Sequence, residues 1–356
     1  MTSISLILPL KASEAAALAD LVYQQVEGTR LTGDLRHRFA ARVPSLGLNT
    51  FTPFPGSLQQ DPIHPSTYYI AADTRGGGTS QSLLLRIALD SSPASGLFPG
   101  SMLIGRMRAG GGREIVINAI PFAATDHSNI RTFAEQVDRA FLPRPQGSQP
   151  AISVRDGNLE TVFQDFRAIL KAAQVNLASL ECPYHAGLWA AIRAGWREGY
   201  NLGAGPIVAP EYTMFTIEAS SRNLTAVEEL HDHITKIKAG QDSWKHFDFE
   251  LSLGCSETPT TPEELRFCLD WLKTRGRPPQ LIEPNLDRDN HGLAELAEVA
   301  RQFNATLSIR SRVGEQEAAL EEIGRATGGR FNYKVSGKNA DLRRIASCLL
   351  GQSISA

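Results

Sequence analysis

The sequence predicts an α/β fold, a (β/α)8 TIM barrel with an N-terminal β-rich extension, on three observations. From Arg113 onward an apolar strand is followed by an amphipathic segment eight times in roughly 240 residues, close to the ~250 that such a barrel uses. No Gly-rich dinucleotide fingerprint follows the first strand, which disfavours the runner-up, an open doubly wound sheet. Residues 1–112 have a different texture, short strands broken by Gly76–Gly78 and Ser91-Ser-Pro93 turns. The expected domains are therefore 1–112, an α+β extension packing on the barrel, and 113–356, the barrel.

In order, the extension should hold a helix over Ala12–Val26, a Pro/Gly/Gln-rich stretch from Leu31 to Ser66, and strands at Tyr68–Ile70, Ser82–Leu89 and Met102–Met107. The barrel units should begin with strand Ile115–Phe122 and helix Asn129–Phe141, with Asp126 at or near the N-cap. Then come Ala151–Val154 with Leu159–Ala173, Val175–Glu181 with Ala186–Gly199, and Thr213–Glu218 with Ala226–Lys238. The remaining units are Phe247–Leu253 with Pro262–Arg275, Gln280–Pro284 with Leu293–Phe303, Thr306–Arg310 with Gln316–Thr327, and Phe331–Val335 with Ala340–Leu350. The fifth is the clearest. Phe247, Phe249, Leu251 and Leu253 alternate with Asp248, Glu250 and Ser252, and the Thr/Pro cluster that follows reads as a loop ending in a helix N-cap.

The 356 residues, 42% hydrophobic, can bury a large core, and a formal net charge of −2 without a basic block argues against a nucleic-acid partner. No run approaches the roughly 20 apolar residues of a membrane span, and the first ten residues do not read as a signal peptide, so a cytoplasmic protein is expected. The four cysteines lie far apart, with no C-x-x-C pair to suggest a disulfide framework or structural zinc. No nucleotide cofactor is expected.

In a parallel α/β barrel the chemistry sits at the C-terminal ends of the strands. Glu250, Glu283, Arg310 and Lys334 each close an otherwise apolar strand, which places a charge partly inside the rim, where it must be paired or used. Glu218, Ser336 and His185 belong to the same set of strand edges, and the loop after Val335 could bind a phosphate or carboxylate at a helix N-terminus. His231-Asp-His233 lies on a helix surface with its imidazoles on different faces, and Trp189 and Trp196 read as packing.

The segment Phe247-Asp-Phe-Glu-Leu-Ser252, followed by Pro259-Thr-Thr-Pro262, resembles the fifth-strand motif of the tagaturonate epimerase family, barrel enzymes that interconvert keto-hexuronates. Ala190–Tyr200 and Tyr212–Glu218 resemble that family's Gly-Tyr helix end and its next strand, and the similarity covers approximately residues 175 to 340. The resemblance implies an enzyme of carbohydrate metabolism, an isomerase acting on an acidic sugar, with a divalent metal. The departures fall on the residues that would hold that metal. Gly254 and Cys255 stand where the family has Asp-Glu, Gly203-Ala-Gly-Pro206 where it has Ala-Asp-His-Leu-Lys, and Arg310-Ser-Arg-Val-Gly314 where it has a His-Ser-Gly-Ser-Asp-Lys type sequence. Glu250 is the one metal candidate that is kept.

Three readings follow. In the first, an epimerase or isomerase acts on a keto-hexuronate or related sugar acid or phosphate, removing a proton next to a carbonyl, with Glu250 and Glu283 as acid and base and Arg310 and Lys334 on the oxyanion or substrate carboxylate. In the second, the barrel is a non-catalytic relative that binds a carbohydrate or a partner. In the third, Lys334 forms a Schiff base, as in an aldolase. The sugar's identity and a homo-oligomeric state are left open.

Overall fold

In the computed structural model the described residues run from 51 to 345, leaving out 54–58, 61–65, 74–80, 90–97, 109–113, 156, 160, 164, 167–175, 204–207, 220–222, 241–245, 255–257, 288–289, 312–316, 337–341 and 343–344. The expected helix over Ala12–Val26, Cys255 and the loop beyond Ser336 lie outside them. The chain divides into two compact units, Met1–Leu142 with Leu188–Arg197, and Pro143–Gly187 with Glu198–Ala356.

The first unit contains an antiparallel sheet of β1 (Phe51–Pro53), β2 (Gln59–Gln60), β3 (Ser66–Asp73), β4 (Gln81–Leu89), β5 (Met102–Arg108) and β6 (Glu114–Pro121). Its order is β1-β3-β4-β6-β5, with β2 also on β3. Here one expectation is corrected: Ile115–Phe122 is not a strand of the parallel sheet, because Leu83–Leu89 pairs with it antiparallel from Pro121 back to Ile115. A continuous apolar run such as Ile-Val-Ile-Asn-Ala-Ile suits a buried strand of either kind, so periodicity alone could not choose. The expected helix Asn129–Phe141 is also broken. A six-residue α1 (His127–Thr132) passes into a π turn over Phe133–Val137 and a 3-10 turn over Arg139–Phe141. Asp126 is at its N-cap position, but the Asp126 carboxylate accepts from the Ala123 amide and leaves the helix uncapped. Phe122, Phe133, Tyr68, Phe98 and Trp189 form an edge-to-face cluster with centroids 5.5 to 6.1 Å apart. Such rings add about 0.5–1.5 kcal/mol per pair beyond the area they bury.

The second unit is built on β7 (Ala151–Arg155), β8 (Asn176–Glu181), β9 (Asn201–Gly203), β10 (Met214–Glu218), β11 (Asp248–Ser252), β12 (Leu281–Glu283), β13 (Thr306–Arg310) and β14 (Phe331–Ser336). They form one sheet in the order β10-β11-β12-β13-β14-β7-β8-β9, and every neighbouring pair is parallel. Strand β9 was not foreseen, since Asn-Leu-Gly is too short to show a period. The two end strands are joined by Thr213 N donating to Leu202 O at 3.0 Å and Leu202 N donating to the Thr213 hydroxyl at 3.0 Å, rather than by a ladder.

Helix α2 (Tyr184–Ala194) follows β8, and α3 (Leu224–Ala239), α4 (Pro262–Thr274), α5 (Leu293–Gln302) and α6 (Glu317–Thr327) follow β10, β11, β12 and β13. The start of α4 shows why the sequence was readable: the Thr261 hydroxyl accepts from Glu264 N at 3.2 Å, Pro262 needs no donor partner in the first turn, and Glu263 and Glu264 face the positive helix end. Among the described residues no helix is long and apolar enough to cross a membrane.

Along β11 the alternate residues Phe249 and Leu251 are buried apolar, while Asp248, Glu250 and Ser252 are buried polar. The same holds for β13 and β14, where Ser308 and Asn332 are buried between Leu307 and Ile309 and between Phe331 and Tyr333. One side of the parallel sheet therefore carries polar groups, which must find partners inside. At the N-terminal ends the Asp248 carboxylate accepts from the amides of Gln146 (2.6 Å) and Gly147 (2.8 Å) and from the Asn201 side chain. Further along, the Ser153 hydroxyl donates to Asn332 Oδ1 at 2.9 Å, and Asn332 Nδ2 donates to Ser308 Oγ at 3.0 Å. Arg144 also lies in this N-terminal region, donating to Glu198 O at 2.7 Å and filling the place of a Cβ on Gly199, whose φ is +96°.

His231 corrects a third expectation in part, since its side of the helix is not fully solvated. It is half-buried against the Phe247 and Phe249 rings at 5.1 and 5.6 Å, and burial, with Arg277 nearby, lowers its pKa despite Asp232. His233 is exposed, as anticipated.

Lys238, fully buried in the last turn of α3, donates to Pro210 O at 2.9 Å and Tyr212 O at 2.7 Å. Burial pulls its pKa from 10.5 down to about 8, against the pull of Glu211. A lysine lowered on folding binds its proton less well in the native state, so stability should rise as pH climbs from 8 towards 10.5. In urea titrations the stability difference between wild type and Lys238→Met should shift in favour of wild type across that window. A constant difference would mean that the lysine stays charged inside.

Candidate functional site

Four side chains from four successive strands of the parallel sheet bond to one another at the C-terminal half of the sheet. Lys334 Nζ on β14 stands 2.5 Å from Glu250 Oε2 on β11 and 2.7 Å from Glu283 Oε2 on β12. Arg310 on β13 binds the other oxygen of Glu283, with Nε at 2.9 Å and Nη2 at 2.7 Å from Oε1. The register explains the convergence: Arg310 lies beside Lys334, Glu283 beside Ser252, and Glu250 two residues before Ser252 on the same side of its strand.

A further participant escaped the sequence reading. Thr216 on β10 lies directly opposite Glu250, is exposed, and donates its hydroxyl to Glu250 Oε2 at 2.8 Å. A threonine in a strand carries no signal of its own, but its parity with Glu218 would have placed it on this side.

Depth separates the members. Glu250 is fully buried, and its Oε1 has no hydrogen-bond partner. The Glu283 and Lys334 side chains are 7% and 12% exposed, whereas that of Arg310 is 56% exposed. Arg310 is thus the group offered to solvent. Burial alone would raise the Glu283 pKa, but Lys334 and Arg310 outweigh it and hold the carboxyl below its usual value. Burial alone would lower the Lys334 pKa, and Glu250 and Glu283 more than reverse it. Glu283 is a carboxylate and Lys334 an ammonium at neutral pH.

Of the other expected residues, Glu218 is the exposed end of β10, in register with Ser252, and Ser336 is the exposed end of β14, in register with Arg155. His185 is carried by α2 rather than by a strand, half-buried with its ring 5.1 Å from that of Tyr184. Cys182 is not activated, since burial pushes its thiol up to about 12.

Among the described residues, the groups around Glu250 do not fit the divalent metal that the resemblance implies. Both carboxylates that could ligate it already hold the Lys334 ammonium, Gly254 offers no side chain, and among the described residues no three of His, Cys, Asp and Glu gather to share an ion.

No family model matches the sequence, and the comparison with curated proteins gives no match. Among solved structures the chain is similar to the fructuronate-tagaturonate epimerase UxaE from Cohnella laeviribosi. It matches a glycerol-bound form with TM-score 0.56 and the native form with TM-score 0.55, each at 15% identity over 84% of this chain and 75% of that one. At that identity the likeness is one of fold.

Proposed function

We propose that this protein is an enzyme of sugar metabolism that acts on an acidic sugar, a keto-hexuronate or a close relative, by moving a proton on a carbon next to a carbonyl. The observation that carries the reading is the bonded chain Glu250, Lys334, Glu283, Arg310 at the strand ends, in a fold similar to that of the Cohnella epimerase. In this reading the parallel sheet is a (β/α)8 barrel. Its eight strands run in chain order around the sheet, and the bonds between Leu202 and Thr213 join its ends.

The roles follow from depth and charge. Arg310, the exposed cation, receives the sugar carboxylate with parallel N–H donors. Glu283, held ionised, takes the proton from the carbon. The Lys334 ammonium stabilises the enediolate oxygen and returns a proton to the opposite face, then regains one from Glu283, so that no net proton is consumed. Glu250, which the sequence suggested as the second acid/base group, is wholly buried and holds Lys334 in place together with Thr216. The Schiff-base reading is disfavoured, because that chemistry starts from a neutral amine and two carboxylates keep this one charged.

The test is a thermal-shift and NMR assay of the full chain with tagaturonate, fructuronate and their phosphorylated or uncharged analogues. Uronates should raise the melting temperature and exchange solvent deuterium into the carbon beside the carbonyl. Glu283→Gln should lower turnover by about 10²–10⁴-fold, and Arg310→Gln should weaken uronate binding while leaving an uncharged analogue unaffected. Binding without exchange would support the non-catalytic carbohydrate-binding relative instead, whose structural support is that the buried charges satisfy one another. Silence across the panel would sink the acidic-sugar assignment.

A further inference from the structure

We infer that Lys334 is the resident cation of this site, standing in the place between two carboxylates that a divalent metal would need, so that the protein binds its ligand without one. The inference rests on the geometry of the chain's own residues and not on the reaction proposed above. Glu250 and Glu283 come from adjacent strands and are almost wholly removed from water, and two such carboxylates cannot stay ionised side by side without a cation between them. Metal-binding sites meet that need with an ion that draws oxygens to within about 2.0–2.6 Å. Here the need is met by Nζ at 2.5 and 2.7 Å from one oxygen of each.

The remaining oxygens are arranged around that ammonium. Thr216 donates to the same Glu250 oxygen that Lys334 holds, and Arg310 occupies Glu283 Oε1 with two N–H groups. The two cations and two carboxylates cancel in formal charge. A divalent ion entering between the carboxylates would have to expel Lys334 and would then stand beside two unneutralised cations, which Coulomb repulsion at low dielectric opposes. Glu250 Oε1, buried and without a partner, is the one oxygen of the pair not engaged, and a metal needs several at once.

The experiment is elemental analysis of the wild-type protein purified without chelator, followed by Mn²⁺ titration read by electron paramagnetic resonance and by melting temperature, with and without EDTA. Wild type should carry no stoichiometric divalent metal, show no saturable Mn²⁺ binding, and melt at the same temperature in EDTA. Lys334→Ala, which leaves the carboxylate pair and opens the space, should bind Mn²⁺ and be restabilised by it, and Lys334→Arg should behave as wild type. Stoichiometric metal in wild type, or a melting temperature that falls in EDTA and ceases to respond in Glu250→Gln, would overturn the inference. So would a folded Lys334→Ala protein indifferent to Mn²⁺. If Lys334→Ala does not fold, the wild-type and Lys334→Arg measurements decide the question. None of these readouts involves turnover, so failure of the proposed reaction would leave them intact, and a metal-bearing wild type could still be an epimerase.

Discussion

Replacing Lys334 by Met should lower the stability of the protein at neutral pH by about 3–5 kcal/mol, the range typical of removing one partner from a buried ion pair. Methionine nearly matches the volume, so the loss is electrostatic: Glu250 and Glu283 are left without the cation that both hold. The pH dependence separates this cause from poor packing. In wild type, Glu283 has a lowered pKa, so its contribution is present above the unfolded carboxyl value of 4.5 and is lost as pH falls through the folded one. Lys334 has a raised pKa, so its contribution is present below 10.5 and is lost as pH rises through the folded value. The site should therefore stabilise fully between about pH 4.5 and 10.5. In Lys334→Met the burial that raises the Glu283 pKa is no longer opposed by Lys334, so the deficit should shrink on acidification. Urea denaturation at pH 7 and pH 5 measures this, and a deficit equal at both would refute the electrostatic account.

Asp248→Ala should be of comparable size, at about 3 kcal/mol or more, because one carboxylate satisfies two backbone amides and the Asn201 side chain in the interior. Removing it leaves three donors without their acceptor, of which the Asn201 side chain is buried with Asp248 and the Gln146 and Gly147 amides belong to half-buried residues. Asn201→Ala removes one of those donors, so the double variant should cost less than the two single ones added together. Asp248 sits at the opposite end of β11 from Ser252, and the folded fraction of Asp248→Ala should bind whatever ligand wild type binds with unchanged affinity. A strand-start aspartate whose removal proves nearly neutral would mean that the loop around Gln146 finds other partners.

The comparison of these two residues shows what was legible in the sequence. Glu250, Glu283, Arg310 and Lys334 stood out because each ends or interrupts an apolar strand, and the cost of burying a charge marks such positions in the sequence itself. Which charge faces which was not legible, because it depends on register between strands whose bonded residues lie 27 to 84 positions apart in the chain, and so Lys334 between two glutamates came only from the fold. The parallel strands from Ala151 on were readable where helix caps and apolar runs agreed, as at Thr261-Pro262. Ile115–Phe122 was assigned to the wrong sheet because its pattern is that of any buried strand, and its true partner, Leu83–Leu89, is chosen by tertiary pairing. Asn201–Gly203 was missed because three residues cannot display a period. Thr216 and His231 were missed or misplaced because their environments are made by β11 and by the Phe247 and Phe249 rings, which no local window contains.

The trio Ser153, Asn332 and Ser308 links β7, β14 and β13 through side chains alone, with Asn332 donating to one neighbour and accepting from the other. Exchanging any one of them for an apolar residue would leave a polar atom of another with no companion in the interior. In evolutionary terms that coupling favours inheritance of the three as a block. A lineage can revise the helix surfaces one codon at a time, but it can change the lining of this sheet only by passing through a weakened intermediate or by altering several positions together, which ties the drift of the sheet interior to the pace of paired mutation.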